Sequence, residues 1–396
     1  MLLRLTKKAE NAPPKSGSAH LRVRARTTSA LAAPVLSGIL ALALLFVRAP
    51  DAFTNPQFWA EDGPLFWQHQ AWIGWRALFY PYAGYPVFAP RVVALVASFF
   101  DPALAPKLFA WGAILITCWS AFTAATCVDD RRIGLLLGAG LMLAPIAFGE
   151  IFGRVSHLQW IMVPTLALTL VSKYDHNKLV FATVAAFTGP FSVFLAPIAA
   201  LEFCRSRSPV AAVCLAAAAV GMAFFIASLG KKSGFNLPNV ALSLTDVGHI
   251  AGIMLFRSVN SVAVLGVLGA VVVLSAVMDA DNRRARLAVL YIAAAILGTA
   301  VARLLTEPRA LEFVNVDAGG RFFYVARVAL IWCATFLFFS GPVWRRALSL
   351  AFVVAMVASG VPLQRDPMPD AHWAEKVRSG AKQIEISPPG WIVTVP

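Results

Sequence analysis

The sequence predicts an all-α polytopic membrane protein with about eleven transmembrane helices. Of its 396 residues, 59% are hydrophobic and 14% charged, whereas soluble domains carry about 45–50% apolar and about 25% charged residues. Mean hydropathy is +0.71, which excludes a disordered or nucleic-acid-binding chain. The formal charge of +14 is therefore expected on cytoplasmic loops, where Lys and Arg of membrane proteins accumulate. The five cysteines lie in apolar runs without a CxxC pair, so they indicate neither a disulfide framework nor a metal site.

The predicted spans are apolar runs long enough to cross a bilayer, which takes roughly 20 residues. The clear runs are 30–48, 104–127, 133–149, 158–172, 209–229, 258–278, 287–305, 323–340 and 347–362. Residues 1–29 are strongly basic and are expected to form a disordered cytoplasmic tail. A signal peptide fits poorly, because the basic region is too long and no small-residue cleavage site follows. Residues 30–362 then form the membrane domain, and residues 363–396 form a short external tail.

A further apolar segment, 179–203, is interrupted by Gly189-Pro190. Read as one helix, it would place the basic loops 283–286 and 345–346 outside the cell. Read as a hairpin of two short helices with Gly189-Pro190 at its tip, it satisfies the positive-inside rule at every turn. We therefore expect a plasma-membrane protein with a cytoplasmic N-terminus and an external C-terminus.

The first external loop, 49–103, is rich in aromatic residues and contains two adjacent carboxylates. The aromatic residues suit helices lying along the membrane surface, and Trp59 with its neighbours also suits a groove for a sugar or prenyl chain. Glu61 and Asp62 follow Trp59 and precede Gly63-Pro64. A carboxylate near the membrane boundary is costly and usually serves chemistry, and burial raises its pKa towards the range of a general base. An exposed pair that caps the next short helix is the alternative.

The span layout, the acidic pair and the motif Tyr80-Pro81-Tyr82-Ala83-Gly84-Tyr85-Pro86 together resemble the GT-C superfamily of integral-membrane glycosyltransferases. The resemblance implies a polyprenyl-phosphate-linked sugar donor, or a related lipid donor, and a glycan or lipid acceptor. It also implies that one carboxylate of the pair is the base on the acceptor hydroxyl. Asp62 is preferred because its side chain is shorter and Gly63-Pro64 fixes its backbone. Glu61 would then orient the acceptor or a bound cation.

A polar turn at 149–160 joins two spans on the same external face. It resembles the segment between the third and fourth helices of related bacterial members. Glu150, Arg154 and His157 are candidates for binding substrate in the cavity that the acidic pair would share. The alternative is that a short exposed hairpin simply needs polar residues, and for Gln159 this interpretation is preferred.

The motif Asp317-Ala318-Gly319-Gly320-Arg321-Phe322-Phe323-Tyr324-Val325 opens a span and resembles the entry G-R-[YF]-[FY]-[FY] of several such transferases. Arg321 is the best candidate for a lipid phosphate, since Arg binds phosphate bidentately and glycines let backbone amides approach an anion. Tyr324 is a candidate for substrate contact. An arginine that extends to the interface from a helix end is the alternative. Three more external cations are weaker phosphate candidates, namely Lys231, Lys232 and Arg257.

Acidic and imidazole side chains on this face offer ligands for Mg or Mn. The set comprises Glu61, Asp62, Glu150, His157 and Asp317. No spacing among them requires a metal, so no metal site is assigned and a divalent cation stays an option. No Gly-rich loop follows a strand, which excludes a nucleotide-sugar donor held by a Rossmann domain. In the tail we expect a short helix that ends at Gly380, then strands at 383–387 and 391–395, packed on the external loops.

Two classes of function fit these features. The first is a transferase with an external site at the lipid boundary, and the second is a transporter or flippase of lipid-linked or polar solutes. Transporters normally keep ionisable groups near the bilayer midplane on broken helices. Here the spans hold almost none and the acids gather on one face, which favours the transferase. A polymerase of lipid-linked saccharides is a closely related alternative.

Overall fold

The structure is a computed structural model that describes residues 16–146, 151–229, 244–256, 262–306, 320–359 and 364–395. Nearly all regular structure in these ranges is helical, as an all-α membrane protein requires. Five helices of the described chain are long and apolar enough to cross a membrane. They are Leu31–Arg48, Pro102–Thr126, Pro209–Ser228, Arg283–Ala302 and Arg321–Ser340. The chain is therefore a multi-pass membrane protein.

Sixteen helices are described in these ranges. In chain order they are α1 (Ser16–Arg48), α2 (Asp51–Thr54), α3 (Gln68–Ile73), α4 (Phe88–Ala97), α5 (Ala105–Thr126), α6 (Arg131–Leu143), α7 (Leu158–Val171), α8 (His176–Ala186), α9 (Phe191–Ser206), α10 (Pro209–Leu229), α11 (Leu244–Phe256), α12 (Val262–Met278), α13 (Arg283–Thr306), α14 (Arg321–Ser340), α15 (Val343–Ala358) and α16 (Trp373–Arg378). Short 3-10 turns lie at Ala60–Asp62, Gly74–Phe79, Pro102–Leu104 and Val155–His157, and a π turn at Gly63–Trp67. Helix α1 begins within the segment expected to be a tail.

Polar contacts gather the ends of several helices on one face, which we call the far face. Asp279, just after α12, accepts hydrogen bonds from Arg286 in α13 at 2.8 Å and from Ser340 at the end of α14 at 2.7 Å. Glu202, near the end of α9, pairs with Arg284 in the first turn of α13. The ends of α9, α12 and α14 therefore lie together with the start of α13.

The interrupted segment 179–203 is two helices, as the hairpin interpretation predicts. Helix α8 ends at Ala186 and α9 begins at Phe191, and Gly189 between them has a φ of +97°, a conformation that favours glycine. At the start of α8, Asn177 accepts a hydrogen bond from Trp119 in the second half of α5 at 2.9 Å. Helix α9 ends beside Arg284 on the far face, so the turn at Gly189 lies at the opposite end of α9.

Helix α14 is the centre of the bundle and is buried along most of its length. Trp332 donates its indole N–H to the carbonyl of Leu137 in α6, and Tyr324 donates its hydroxyl to that of Leu141, both at 2.8 Å. Arg327, fully buried, donates to carbonyls of α11 and of the segment after α6. Tyr324 is 0% exposed and therefore packs α14 against α6. Its hydroxyl is committed to a main-chain carbonyl inside the bundle, so this geometry does not support the assignment of Tyr324 to substrate contact.

The first loop folds into the short helices α2, α3 and α4, and its aromatic residues divide into two groups. Trp72, Trp75 and Phe79 are 55%, 64% and 69% exposed, as suits a membrane interface. Phe58 and Trp67 are buried and contact the tail. The aromatic residues of the first loop thus form an exposed belt and a buried cluster on which the C-terminal tail packs.

The tail contains α16 followed by an antiparallel hairpin of β1 (Gln383–Ile386) and β2 (Trp391–Thr394), as the sequence predicts. The Trp373 ring meets Phe58 and Trp67 edge to face, with centroids at 4.8 and 5.2 Å. Arg365 forms a buried bidentate ion pair with Asp51 at 2.7 and 2.6 Å. The tail therefore packs on the first loop, as expected.

Candidate active site

A cavity of about 340 Å³ lies at the end of the bundle where the α8–α9 hairpin turns. We call this end the cavity face. Its polar wall includes Glu61, Tyr82, Tyr85, His157, Gln159 and Arg321. Its apolar wall includes Trp160, Phe191, Phe194 and Phe322. The first loop, the turn before α7 and the N-terminus of α14 thus bring a carboxylate, phenols, an imidazole and a guanidinium to one space.

Glu61 faces this cavity and is only partly buried. Its carboxylate accepts a hydrogen bond from the Tyr82 hydroxyl at 3.2 Å. Burial raises the pKa of the Tyr82 phenol, and the nearby Glu61 carboxylate raises it further. Burial likewise raises the pKa of Tyr85. Both phenols are therefore neutral at physiological pH and able to donate hydrogen bonds to Glu61 or to a bound molecule.

Asp62 lies behind the cavity wall and is 3% exposed. Its Oδ1 atom accepts a hydrogen bond from the Ser156 backbone N–H at 2.8 Å, which joins the first loop to the turn before α7. Burial raises the pKa of Asp62 to about 7, although the hydrogen bond from the Ser156 backbone N–H and the Arg154 cation oppose the rise. The preference for Asp62 as the base must be revised, because a base has to reach the acceptor and Glu61 is the member of the pair that lines the cavity.

The backbone at Ala60 accounts for this divergence. Ala60 has a φ of +38°, which L residues rarely adopt. It begins the 3-10 turn Ala60–Asp62, in which the Asp62 N–H bonds the Trp59 carbonyl at 2.8 Å. Consecutive side chains on such a tight turn point in different directions. Glu61 therefore faces the cavity while Asp62 faces the protein interior.

Arg321 is the first residue of α14 and contacts His157 across the cavity wall. Their Nη1 and Nε2 atoms are 3.3 Å apart. Burial of His157 and the cations of Arg321 and Arg154 hold its pKa well below the usual value. His157 is therefore neutral, and its Nε2 atom accepts a hydrogen bond from the guanidinium. The positive end of the α14 dipole adds to the charge of Arg321, so an anion is favoured here.

Arg154 and Trp59 form a layer outside the cavity. The Arg154 guanidinium lies 3.5 Å from the centroid of the Trp59 ring and is 3% exposed. Within the described part of the chain, neither residue contributes to the cavity wall. Their assignment to direct substrate contact is therefore not supported by this geometry. Arg154 instead stabilises the ionised form of Asp62.

Several other candidates fall outside the described residues, namely Glu150, Lys231, Lys232, Arg257 and Asp317. Among the residues that the structure does describe, no group of three or more His, Cys, Asp or Glu side chains could hold a metal ion. Glu61 and His157 both line the cavity, but Asp62 turns away from it. The expected carboxylate and imidazole ligands do not converge in this part of the chain.

Sequence reasoning missed several residues of the cavity. Gln159 was assigned to a merely polar turn but lines the wall. Gly189 is needed beside it, since a Cβ at Gly189 would overlap Gln159. Tyr82 and Tyr85 lie in the motif 80–86, in which the resemblance gives them no role, and Phe191 lies directly after Gly189-Pro190. The break at Gly189-Pro190 was a usable signal, because a turn at the cavity face brings the start of α9 to the site.

No protein-family model, no curated protein and no solved structure matches the chain at a significant level. The helices define the chain as a multi-pass, all-α membrane protein. What it does has to be argued from the chemistry of the cavity.

Proposed function

We propose that the chain is a GT-C-type membrane glycosyltransferase. It would move a sugar from a polyprenyl-phosphate-linked donor to a hydroxyl of a cell-envelope glycan or lipid. The observation that supports this most is that Glu61 and Arg321 line the same cavity. This cavity lies at the ends of the helices rather than at their middle. A carboxylate and a fixed guanidinium are what deprotonation of a hydroxyl and recognition of a phosphate require.

In this proposal Glu61 is the general base. The oxygen of the acceptor hydroxyl attacks the anomeric carbon of the donor sugar, and the hydroxyl proton passes to the Glu61 carboxylate. The bond from that carbon to the phosphate oxygen breaks, and the lipid phosphate leaves as an anion that needs no acid. Tyr82, which donates a hydrogen bond to Glu61, orients the carboxylate for this step.

Arg321 binds the donor phosphate. Its guanidinium offers several N–H donors in one plane, and one of them is directed at neutral His157. A neutral imidazole leaves the full positive charge of Arg321 for the phosphate. The aromatic side chains of Trp160, Phe191 and Phe322 provide an apolar wall against which a sugar ring or the first part of a prenyl chain packs.

The proposed topology has about eleven crossings, formed by α1, α5–α10 and α12–α15. The N-terminus is cytoplasmic, the C-terminus is external, and the cavity face is external in a plasma membrane. The charge pattern supports this orientation, because loops at the far face carry Arg205, Arg207, Arg283 and Arg284. Membrane lipids surround the helices, and no nucleic acid takes part.

A transporter or flippase is the second candidate, supported by the broken α8–α9 hairpin whose turn reaches the cavity. One experiment separates the two. Purified protein in liposomes is given synthetic polyprenyl-phosphate sugars with labelled sugar and a glycolipid extract as acceptor, and the products are identified by mass spectrometry. The transferase predicts labelled glycolipid and free polyprenyl phosphate. Movement of intact donor across the bilayer without a new glycosidic bond would support the flippase instead.

The same assay tests the polymerase alternative. A polymerase would extend lipid-linked oligosaccharides into chains of several repeats, whereas the proposed enzyme adds one sugar. Mass spectrometry of cell-envelope glycans with and without the gene then identifies the sugar and the acceptor.

A further inference from the structure

We infer that the C-terminal β-hairpin is a positioning element for the acidic pair, fixing the backbone at Ala60–Gly63 so that Glu61 faces the cavity. The kinetic part of this inference rests on the proposed function. The structural part concerns only where the side chain at position 61 points. Three independent contacts support it.

The first contact is a main-chain hydrogen bond at the strained residue. The Ala60 N–H donates to the Ser387 carbonyl at 2.6 Å, and Trp59 pairs with Ser387 in a parallel bridge. A φ of +38° at Ala60 is unfavourable for an L residue. Conformations of this kind persist when surrounding structure holds them in place. Ser387, the residue that follows β1, holds Ala60 in this conformation through the hydrogen bond.

The second contact lies on the other side of the pair, at Gly63. A Cβ built at Gly63 would overlap the Cγ2 atom of Val393 and would lie 3.0 Å from Cδ1 of Ile386. Val393 and Ile386 are 0% and 4% exposed, so neither side chain moves freely. Gly63 has a φ of −75°, which any residue can adopt. The close approach of the hairpin is therefore the reason that a side chain is excluded here.

The third contact anchors the hairpin to the helix that follows the pair. The Thr394 N–H donates to Oε1 of Gln68 at 2.7 Å, and Gln68 is buried. With Trp373 packed on Phe58 before the pair and on Trp67 after it, the tail holds both sides of the acidic pair. A shift of the hairpin relative to the first loop would turn Glu61 away from Tyr82.

The test is a repacking cycle at the Gly63–Val393 contact. The variants are Gly63→Ala, Val393→Ala and the double substitution, all in the full chain in liposomes. Gly248→Ala is the matched control, because a Cβ at Gly248 would meet nothing within 4 Å. Transfer kinetics and thermal stability are measured for each.

We expect Gly63→Ala to lower kcat by about tenfold or more while the donor KM changes by less than about twofold, since Arg321 is untouched. The double variant should recover to within about threefold of Val393→Ala, because truncating Val393 makes room for the new methyl group. Gly248→Ala should match the wild type. A Gly63→Ala variant with wild-type kcat, or a double variant that recovers thermal stability without recovering kcat, would overturn the inference.

A second readout does not need transfer at all. A Glu61→Cys substitution is introduced into each background and labelled with a membrane-impermeant maleimide, and peptide mass spectrometry quantifies the label at position 61 apart from the native cysteines. We expect the rate to change by about threefold or more in Gly63→Ala and to return in the double variant. Equal rates in all backgrounds would contradict the positioning role. If no donor supports transfer but the labelling rate changes in Gly63→Ala and returns in the double variant, the proposed function fails and the positioning role stands.

Discussion

The carboxylates of Glu61 and Asp62 are adjacent in sequence and lie in opposite environments. Glu61 borders the cavity and accepts a hydrogen bond from Tyr82, whereas Asp62 is buried behind the wall and accepts one from the Ser156 N–H. The left-handed conformation of Ala60 separates them. The pair therefore divides into a group that can meet a substrate and a group that joins two loops.

The first prediction concerns the pH dependence of stability. The pKa of Asp62 is raised from 3.8 to about 7, so the folded protein holds this proton more tightly than the unfolded chain does. The resulting stabilisation is complete below about pH 4 and is lost as the pH rises through about 7. The side chain introduced by Asp62→Asn does not ionise, so this variant does not lose stability over the same pH range.

Thermal unfolding of both proteins across this range checks the prediction. The Tm of the wild type should fall relative to that of Asp62→Asn by several degrees between about pH 4 and about pH 8 and should run parallel to it above that. A Tm difference between the two proteins that does not change with pH would show that Asp62 titrates normally in the folded state.

The second prediction concerns Arg321. Arg321→Lys keeps the charge and loses the bidentate geometry, so donor KM should rise by about tenfold. Arg321→Ala should raise it further, and both proteins should insert and unfold like the wild type. Arg132→Lys, at an exposed site at the start of α6, is the control. Wild-type donor affinity in Arg321→Ala would remove the phosphate role.

The third prediction concerns the buried ion pair of Arg365 with Asp51. Replacing Arg365 with Met leaves a buried carboxylate uncompensated, which typically costs about 3–5 kcal/mol. The control is the surface ion pair of Lys173 with Asp129, whose side chains are 87% and 93% exposed. Lys173→Met should have no measurable effect on stability. Denaturation of the two variants in detergent compares them. Equal stability would show that the tail is not fixed to α2 by this pair.

The fourth prediction concerns orientation. A reporter fused after Arg207 or after Arg346 should be cytoplasmic, and one fused after Gln364 should be external. The physical basis is the turn at Gly189, which returns α9 to the far face. An external reporter at Arg207 together with a cytoplasmic one at Gln364 would invert the proposed topology.

Much of the fold could be predicted from local sequence. Apolar runs located the five described helices that are long enough to cross a membrane. Gly189-Pro190 located the turn between α8 and α9, and the alternation on either side of Pro388-Pro389-Gly390 located the two strands of the tail. These signals work because a backbone hydrogen-bonded within one segment, or a turn that favours glycine, depends on a few neighbouring residues.

The orientation of side chains could not be predicted in this way. Asp62 was preferred over Glu61 from side-chain length and from Gly63-Pro64, yet the direction of both is set by Ala60 and by Ser387 far along the chain. Tyr324 lies in a motif beside Arg321, but it sits almost one helical turn further along α14, inside the bundle, where the Leu141 carbonyl accepts a hydrogen bond from its hydroxyl. Contacts between distant segments decided both cases.

The most direct test of the account is the rate of sugar transfer by Glu61→Gln beside Asp62→Asn, in purified protein reconstituted into liposomes. Loss of a general base typically costs about 10²–10⁴ in rate. We expect Glu61→Gln to lose transfer to this extent with little change in donor KM, and Asp62→Asn to keep a substantially larger share. Near-wild-type transfer by Glu61→Gln, or a larger loss in Asp62→Asn than in Glu61→Gln, would contradict the assignment of Glu61 as the base.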